Sequence, residues 1–499
     1  MKLLFAVSEA IPFVKTGGLA DVAGTLPAAL FKAGVDARVI LPKYRDIDPK
    51  WKAQMQHIAD FYVTMGWRRQ YCGVESIVYQ DVIYYFIDNE FYFARDSVYG
   101  SGPEEGERFG FFCRAVLEAL PHIPFFPDVL HCNDWQTGMI PALLKIQYMH
   151  LAQYSRIRTL FTIHNLKFQG VFDWGQIDEL FGLGARYYTP DYLEFYGGIS
   201  FMKGGLVFAD RISTVSPTYA LEIQSPYYGE RLDGLLRMRA DALTGILNGI
   251  DYTLWNPAAD KSIAARYDAQ ELSGKAACKA ALQKELGLPQ EDVAVVAIVS
   301  RLTEQKGLDL IERVLDEIMS LPIQLVVIGQ GETHYHELFL WAQWRYQSKV
   351  AVRFEYNEEL AHRVYAGADL FLMPSRFEPC GLSQLIALRY GTVPLVRETG
   401  GLRDTVEPYN KYTDEGTGFS FANYNAHEML FTLQRAMEYY LDHKLWTRLI
   451  LRGMAADFGW DRSAARYLAL YNGMAAPQKR ERKPAPPEKA PSKPEPQAP

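Results

Sequence analysis

Arg301 and Lys306 stand in Ser300-Arg301-Leu302-Thr303-Glu304-Gln305-Lys306-Gly307, directly after the apolar run Val293–Val299. Two cations at a strand end can grip a diphosphate, arginine bidentately and lysine as a point charge. On residue type alone they could equally be solvated loop cations. A second stretch, Pro374-Ser375-Arg376-Phe377-Glu378-Pro379-Cys380-Gly381-Leu382, joins the run Leu370–Met373 to an apolar helix. The amides of Cys380, Gly381 and Leu382 would mark a helix start able to face phosphate. Glu378 repels phosphate; it could accept hydrogen bonds from sugar hydroxyls, or be a carboxylate settled at the helix dipole.

Glycine loops supply a second kind of chemistry. Lys15-Thr16-Gly17-Gly18-Leu19-Ala20-Asp21 follows the first apolar run, and Thr399-Gly400-Gly401-Leu402-Arg403-Asp404 repeats its T-G-G-L-x-D pattern. Neither is a G-x-G-x-x-G nor a G-x-x-x-x-G-K-[ST] motif, so standard dinucleotide or P-loop binding is not supported. Strand-end glycine loops occupy the face where open α/β sheets bind ligands, and two facing domains would present both loops to one cleft. His131–Gly138 and Phe161–Leu166 also follow strands, placing Asp134 and His164 at that edge. Read singly, Asp134 is a helix cap and His164 a satisfied structural histidine. His334-x-His336 has no third ligand adjacent, which argues against a metal there.

The elements that must position these residues follow from hydrophobic patterning. Leu3–Val7, Ala37–Leu41, Val82–Ile87, Val129–Cys132, Thr159–Ile163 and Arg211–Val215 read as strands. So do Val293–Ser300, Leu325–Ile328, Val350–Phe354, Leu370–Met373 and Val393–Val396. Near-continuous apolar strands alternating with helical segments indicate parallel sheets covered on both faces, here in two doubly wound α/β domains. The expected division is 1–246, then 247–455 after the Asn248-Gly249 punctuation, then a helix at 456–476 returning to the first domain, and a tail at 477–499.

Composition agrees. The 499 residues are 48% hydrophobic and 22% charged, with 52 Lys/Arg against 59 Asp/Glu, a net charge of −7. That argues against disordered, fibrous and disulfide-stapled classes, and against a general attraction for nucleic acid or anionic membrane. The 5 cysteines include no C-x-x-C pair, so neither a disulfide framework nor a zinc site of usual spacing is expected. The first apolar stretch stops at Ser8-Glu9, too short for a signal peptide, and no run reaches the roughly 20 apolar residues of a membrane span. A cytoplasmic protein is expected. Residues 477–499 hold 8 prolines and six Lys/Arg against three Glu, the composition of a disordered tail.

Together, these motifs resemble those of the bacterial glycogen synthase and plant starch synthase family. Ser8-Glu9 with Lys15–Val22, Asn133-Asp134-Trp135-Gln136, His164-Asn165-Leu166 and Ser213–Tyr219 come in family order. Asn248-Gly249-Ile250-Asp251, Ser300–Gly307, Pro374–Leu382 and Thr399-Gly400-Gly401-Leu402 complete the set, which covers residues 1–475. The resemblance implies a GT-B fold, two Rossmann-like domains facing across a deep cleft. It implies transfer of α-glucose from ADP-glucose to the non-reducing 4-OH of an α-1,4-glucan, with retention, and with neither cofactor nor metal. It places Arg301 and Lys306 on the diphosphate, helped by Lys15, Gly17, Gly18, Cys380, Gly381, Leu382, Asn248, Thr399 and Gly400. Glu378 would position glucose hydroxyls, His164 would lie beneath the sugar, and Asp134 and Glu9 would face sugar or acceptor. Tyr356 is a candidate platform for adenine. Where many retaining relatives carry a second glutamate, eight residues after the first, this chain has Ile386, which leaves the ribose contact unassigned. The alternatives are a related retaining transferase with another donor or a small acceptor, and a non-catalytic glycan-binding protein on the same fold.

Overall fold

The computed structural model describes residues 1–355 and 357–475; Tyr356 and residues 476–499, with the tail expected at 477–499, lie outside the described residues. The first half contains β1 (Lys2–Ala6), β2 (Asp36–Pro42), β3 (Gln56–Met65), β4 (Arg68–Tyr79), β5 (Val82–Asp88), β6 (Val129–Asn133) and β7 (Arg158–Ile163). It continues with β8 (Val171–Asp173), β9 (Glu194–Phe195), β10 (Gly198–Ser200), β11 (Arg211–Thr214) and β12 (Leu243–Gly245). Nine of these form one sheet in the order β12-β11-β7-β6-β1-β2-β5-β4-β3, and β8-β10-β9 form a small separate one. The second half holds β13 (Ala294–Val299), β14 (Ile323–Ile328), β15 (Val350–Arg353), β16 (Leu370–Met373), β17 (Val393–Arg397) and β18 (Phe419–Phe421). Their order is β15-β14-β13-β16-β17-β18, all parallel.

The strands expected from the apolar runs are present, and the physical reason is burial on both faces: β6, β14 and β16 are buried at every residue. The first sheet is not purely parallel, however. At its edge β3 and β4 pair antiparallel, and β4 pairs antiparallel with β5. β3 is mostly exposed or half-buried, so it lacks the continuous apolar run that marks a central strand.

Both sheets reverse direction of growth at one point. β1 lies between β2 and β6, and β13 lies between β14 and β16. The loops leaving either side of such a switch point diverge and open a crevice at the carboxyl ends of the strands. In the first sheet those loops begin at Ser8, Asp134 and His164; in the second they carry Arg301–Lys306 and Pro374–Leu382. Topology therefore gathers residues far apart in sequence at two crevices.

The chain crosses between the two halves twice, side by side. Ile250 N donates to Phe458 O at 2.9 Å, and a Cβ on Gly249 would stand 2.8 Å from Trp460 N. Beyond that crossing, the helix Trp460–Ala475 returns to the first sheet, where Tyr467 and Tyr471 are fully buried in its core. Each such ring removes on the order of 150–250 Å² from water, about 4–6 kcal/mol as an upper bound. The Tyr471 hydroxyl also reaches His131 Nδ1 at 2.8 Å, anchoring the helix beneath β6.

Candidate functional site

The first crevice is built on a strained turn. Asp134, at the end of β6, has φ 55° and ψ −179°, a conformation that ordinarily belongs to glycine and costs on the order of 1–3 kcal/mol. Three hydrogen bonds hold it there. Its amide donates to Thr162 O at 3.0 Å, and its Oδ1 accepts from the amides of His164 at 2.7 Å and Asn165 at 3.4 Å. The turn thus clasps the end of β6 to the end of β7. Next to it, Asn133 Nδ2 donates to Ala6 O at 3.0 Å, so its Oδ1 is the acceptor turned toward His164 Nε2 at 2.9 Å. His164 is therefore held as the Nε2–H tautomer, with Nδ1 as an acceptor. Burial lowers its pKa to about 3, so the ring is neutral around neutral pH.

Two carboxyls share this crevice. Burial pushes Asp134 up to about 7, against the two amides that favour its anion and with Glu9 adding repulsion. Glu9 is also raised by burial, and accepts from the Thr16 amide and from Tyr99. Ser8 Oγ and Tyr99 OH lie 2.7 Å apart, which closes this side of the crevice.

The Asp134 shift predicts a pH dependence. A carboxyl whose folded pKa lies above its unfolded value of about 3.9 contributes stability that is complete below pH ~4 and is lost as pH rises through about 7. Asp134→Asn has no such titration. Its melting temperature, measured against that of the unaltered chain, should gain on it between pH 5 and pH 8. Parallel melting curves across that range would rule out the shift.

In the second crevice, Lys306 Nζ meets Glu378 Oε2 at 2.6 Å, with Ser375 Oγ donating to the same oxygen at 3.2 Å. Gly307, at φ 71°, lets the loop pass Pro374, whose oxygen would lie 2.0 Å from a Cβ. Arg301 is exposed, and its guanidinium has no hydrogen-bond or ion-pair partner among the described residues. Cys380 is buried, which raises its thiol to about 12; it is inert as a nucleophile, and its sulfur faces the Asn248 amide at the domain crossing. The Asn248 side-chain oxygen is buried without a partner.

The two crevices face each other. A Cβ on Gly18 would stand 3.5 Å from Leu382 Cδ1, so the first glycine loop meets the Cys380–Leu382 segment across the gap. Lys15 pairs with Asp21 at 2.7 Å, and Glu358 of the second half acts on Asp21 across the same gap. The second glycine loop is placed differently. Thr399 Oγ1 and Gly400 N hold Glu222 of the first half at 3.0 and 3.1 Å, while Asp404 receives Thr218 N and Oγ1 at 3.0 and 2.6 Å. These loops are joined by reciprocal carboxylates, an exchange that motif spacing did not reveal. Gly17 stands beside Glu9, with 3.9 Å from its Cβ position to Oε1.

Residues missed by sequence reasoning include Asn133, Tyr99, Ser375 and Glu222. Asn133 belongs to a motif already singled out; Tyr99 and Glu222 come from segments with no distinguishing pattern. Ile386 packs in the core of the second half. Among the described residues, no group of His, Cys, Asp or Glu is arranged to hold a metal, and no helix is long and apolar enough to cross a membrane.

Residues 2–238 match the family described as starch synthase catalytic domain, and residues 281–448 match glycosyl transferases group 1. The chain is 57% identical to a glycogen synthase of Geobacillus thermodenitrificans over 472 residues, covering 94% of this chain and 97% of that one. A glycogen synthase of Bacillus cereus is 52% identical over 475 residues, covering 95% and 100% respectively. Among solved structures, the catalytic domain of starch synthase IV from Arabidopsis thaliana, bound to ADP and acarbose, superposes with a TM-score of 0.88 at 32% identity, covering 95% of this chain and 99% of that chain. A sucrose-phosphate synthase from Thermosynechococcus elongatus shares the fold at a TM-score of 0.60 and 18% identity, over 95% and 98% of the two chains. With two Rossmann-like halves closing on one cleft and this degree of identity along nearly its whole length, the chain belongs to the glycogen synthase and starch synthase family of GT-B hexosyltransferases.

Proposed function

We propose that the chain transfers α-glucose from ADP-glucose to the non-reducing 4-OH of an α-1,4-glucan, with retention at the anomeric carbon. The observation that carries this reading is the Lys306–Glu378 pair at 2.6 Å, set across the cleft from the neutral His164 and the Asp134 turn. The ADP bound in the starch synthase IV structure supports the choice of nucleotide.

In this reaction the C1–O bond to the diphosphate breaks and negative charge grows on the leaving oxygen. Arg301 and Lys306 stabilise that charge, with Lys15 and the amides of Gly17, Gly18, Cys380, Gly381 and Leu382 beside them. Glu378 turns its free carboxylate edge to the glucose hydroxyls while Lys306 bridges it to the phosphate. His164 offers its main chain and Nδ1 to the ring as positive charge develops at C1, and being neutral it adds no repulsion. The acceptor oxygen enters on the face the phosphate leaves, and its proton passes to the departing phosphate oxygen. Glu9 and Asp134 border the acceptor side. No metal or cofactor takes part in these steps.

A donor comparison with glycogen as acceptor tests the reading. ADP-glucose should exceed UDP-glucose and GDP-mannose in kcat/KM by at least about tenfold, a difference of ~1.4 kcal/mol. The newly formed bond should be α by proton NMR. Preference for another nucleotide, or a β-linked product, would overturn it.

A further inference from the structure

The helix Thr333–Arg345, which leads into the edge strand β15, is packed on one side only. Inward, Tyr335, Phe339 and Ala342 are buried in the core of the second half. Its start is tied to the Arg301 loop, since Glu332 N donates to Leu302 O at 2.8 Å. Outward, Leu340, Trp341 and Trp344 are 50%, 44% and 69% exposed. At 100° per residue these three share one face with Glu337, Arg345 and Ser348. Two tryptophans and a leucine at these exposures present on the order of 300 Å² of apolar surface, a patch of the size that is often functional on a single chain. The buried inner side holds this face in one position before any partner arrives.

The surroundings favour a protein helix as occupant over a strand or a sugar. Part of the β15 edge is already used: Val352 N donates to Gln343 Oε1 at 2.9 Å, and Val352 O accepts from Arg353 Nη1 at 2.8 Å. A stacking sugar needs an open ring face. That of Trp341 lies under the Arg345 guanidinium at 5.5 Å, and Tyr346 stands perpendicular to it. The charges then point to one particular helix. Glu337 precedes Trp341 by one turn and Arg345 follows it by one turn, each about 6 Å away along the axis. Glu337 has no hydrogen-bond or ion-pair partner among the described residues. Arg345 has only exposed contacts, to Asp316 at 3.9 Å and from its Nε to Tyr346 OH at 3.2 Å. An antiparallel copy of the same helix, related by a two-fold axis at Trp341, sets each Glu337 opposite the other copy's Arg345. The charge pattern is its own complement.

We propose that this face joins two copies of the chain in an isologous dimer, the helices Thr333–Arg345 crossing antiparallel at Trp341 with Leu340 and Trp344 buried around it. With its polar rim the pair buries about 1,200 Å², the low end for specific interfaces. The dimer is therefore reversible, with a Kd on the order of 10 µM. Its charges set register and orientation more than strength, because exposed ion pairs contribute little while like charges brought into contact are costly. The interface stands apart from the donor and acceptor assignments and does not depend on them.

Sedimentation equilibrium of the whole chain between about 1 and 100 µM tests the interface. The unaltered protein should pass from one chain's mass toward twice that mass across the range, and Trp344→Ser should raise Kd by at least about tenfold. Glu337→Arg sets like charges opposite one another in the pair, and so does Arg345→Glu; each alone should weaken association by about tenfold. Mixed together, these two altered chains bring opposite charges into register at both ends and should regain the affinity of the unaltered protein. All three positions are exposed, so the variants should melt with the unaltered chain. A protein that stays single across the range, a Kd unmoved by Trp344→Ser, or a mixture that associates no better than its separate components overturns the interface. Masses beyond two chains overturn the closed two-fold. If Trp344→Ser instead weakens binding of maltoheptaose and leaves the mass unchanged, the face serves a glucan and the dimer falls.

Discussion

Replacing Lys306 with alanine should lower kcat by on the order of 10²–10³-fold, the scale found when one preorganised charge-stabilising group is removed from a reacting centre. Lys306 has two duties in this geometry. It meets the leaving diphosphate, and it neutralises Glu378, which is only 7% exposed and otherwise has Ser375 Oγ at 3.2 Å. Without the ammonium, Glu378 is a nearly buried carboxylate beside a polyanion, so it must shift or bind a proton, and the glucose hydroxyls lose their acceptor. Lys306→Ala and Glu378→Gln should accordingly be strongly non-additive in a double-mutant cycle, because each destroys the setting of the other. Arg301→Ala is the informative contrast. Its exposed guanidinium has no hydrogen-bond or ion-pair partner among the described residues, so its loss should spare the melting temperature while kcat/KM for the donor falls on the same scale as in Lys306→Ala. Steady-state kinetics and ADP calorimetry on the three variants decide the matter: near-normal turnover after loss of both cations would remove the diphosphate assignment.

The contrast between these two cations also marks how far the sequence could be read. Arg301 and Lys306 were visible because they follow a six-residue apolar strand, and burial on both faces leaves such strands little freedom to read otherwise. The edge pair β3–β4 was not, because β3 carries polar and apolar residues on a largely solvated ribbon and its pairing is decided by the β4 partner. Site partners were hidden for a different reason. Lys306 and Glu378 are 72 positions apart, His164 and Asn133 31, and Glu222 and Gly400 178. Motifs reveal which loops stand at a ligand edge, since glycine and charge leave a local mark, but which loops touch depends on the strand order. The second glycine loop shows the limit. Its T-G-G-L-x-D pattern matches the first, yet Thr399 Oγ1 and Gly400 N hold a carboxylate from the facing domain, where the resemblance implied the donor. Its contribution to the site is made instead through the chain it presses against.

That pressure makes Gly400 a sensitive position outside the charged pair. Gly400 has φ +46°, and a Cβ there would stand 2.0 Å from the main-chain oxygen of Glu378. The obstacle is backbone, so no side-chain rotation relieves it. Gly401 N also donates to that oxygen at 3.1 Å, holding the two loops in contact. Gly400→Ala must therefore move the Glu378 main chain or the Thr399–Gly401 loop, and a displacement of about 1 Å at a positioning residue costs on the order of 10²-fold in rate. The variant also carries the left-handed backbone penalty, on the order of 1–3 kcal/mol. A control separates the two effects. Gly34 has φ +89°, but nothing lies within 4 Å of its Cβ position, and it sits in the turn before β2. Gly34→Ala should lower the melting temperature through backbone strain alone and leave kcat near its normal value, whereas Gly400→Ala should lower both. Equal turnover in the two variants would mean that the loop yields without carrying Glu378 with it, and the positioning role of Gly400 would have to be abandoned.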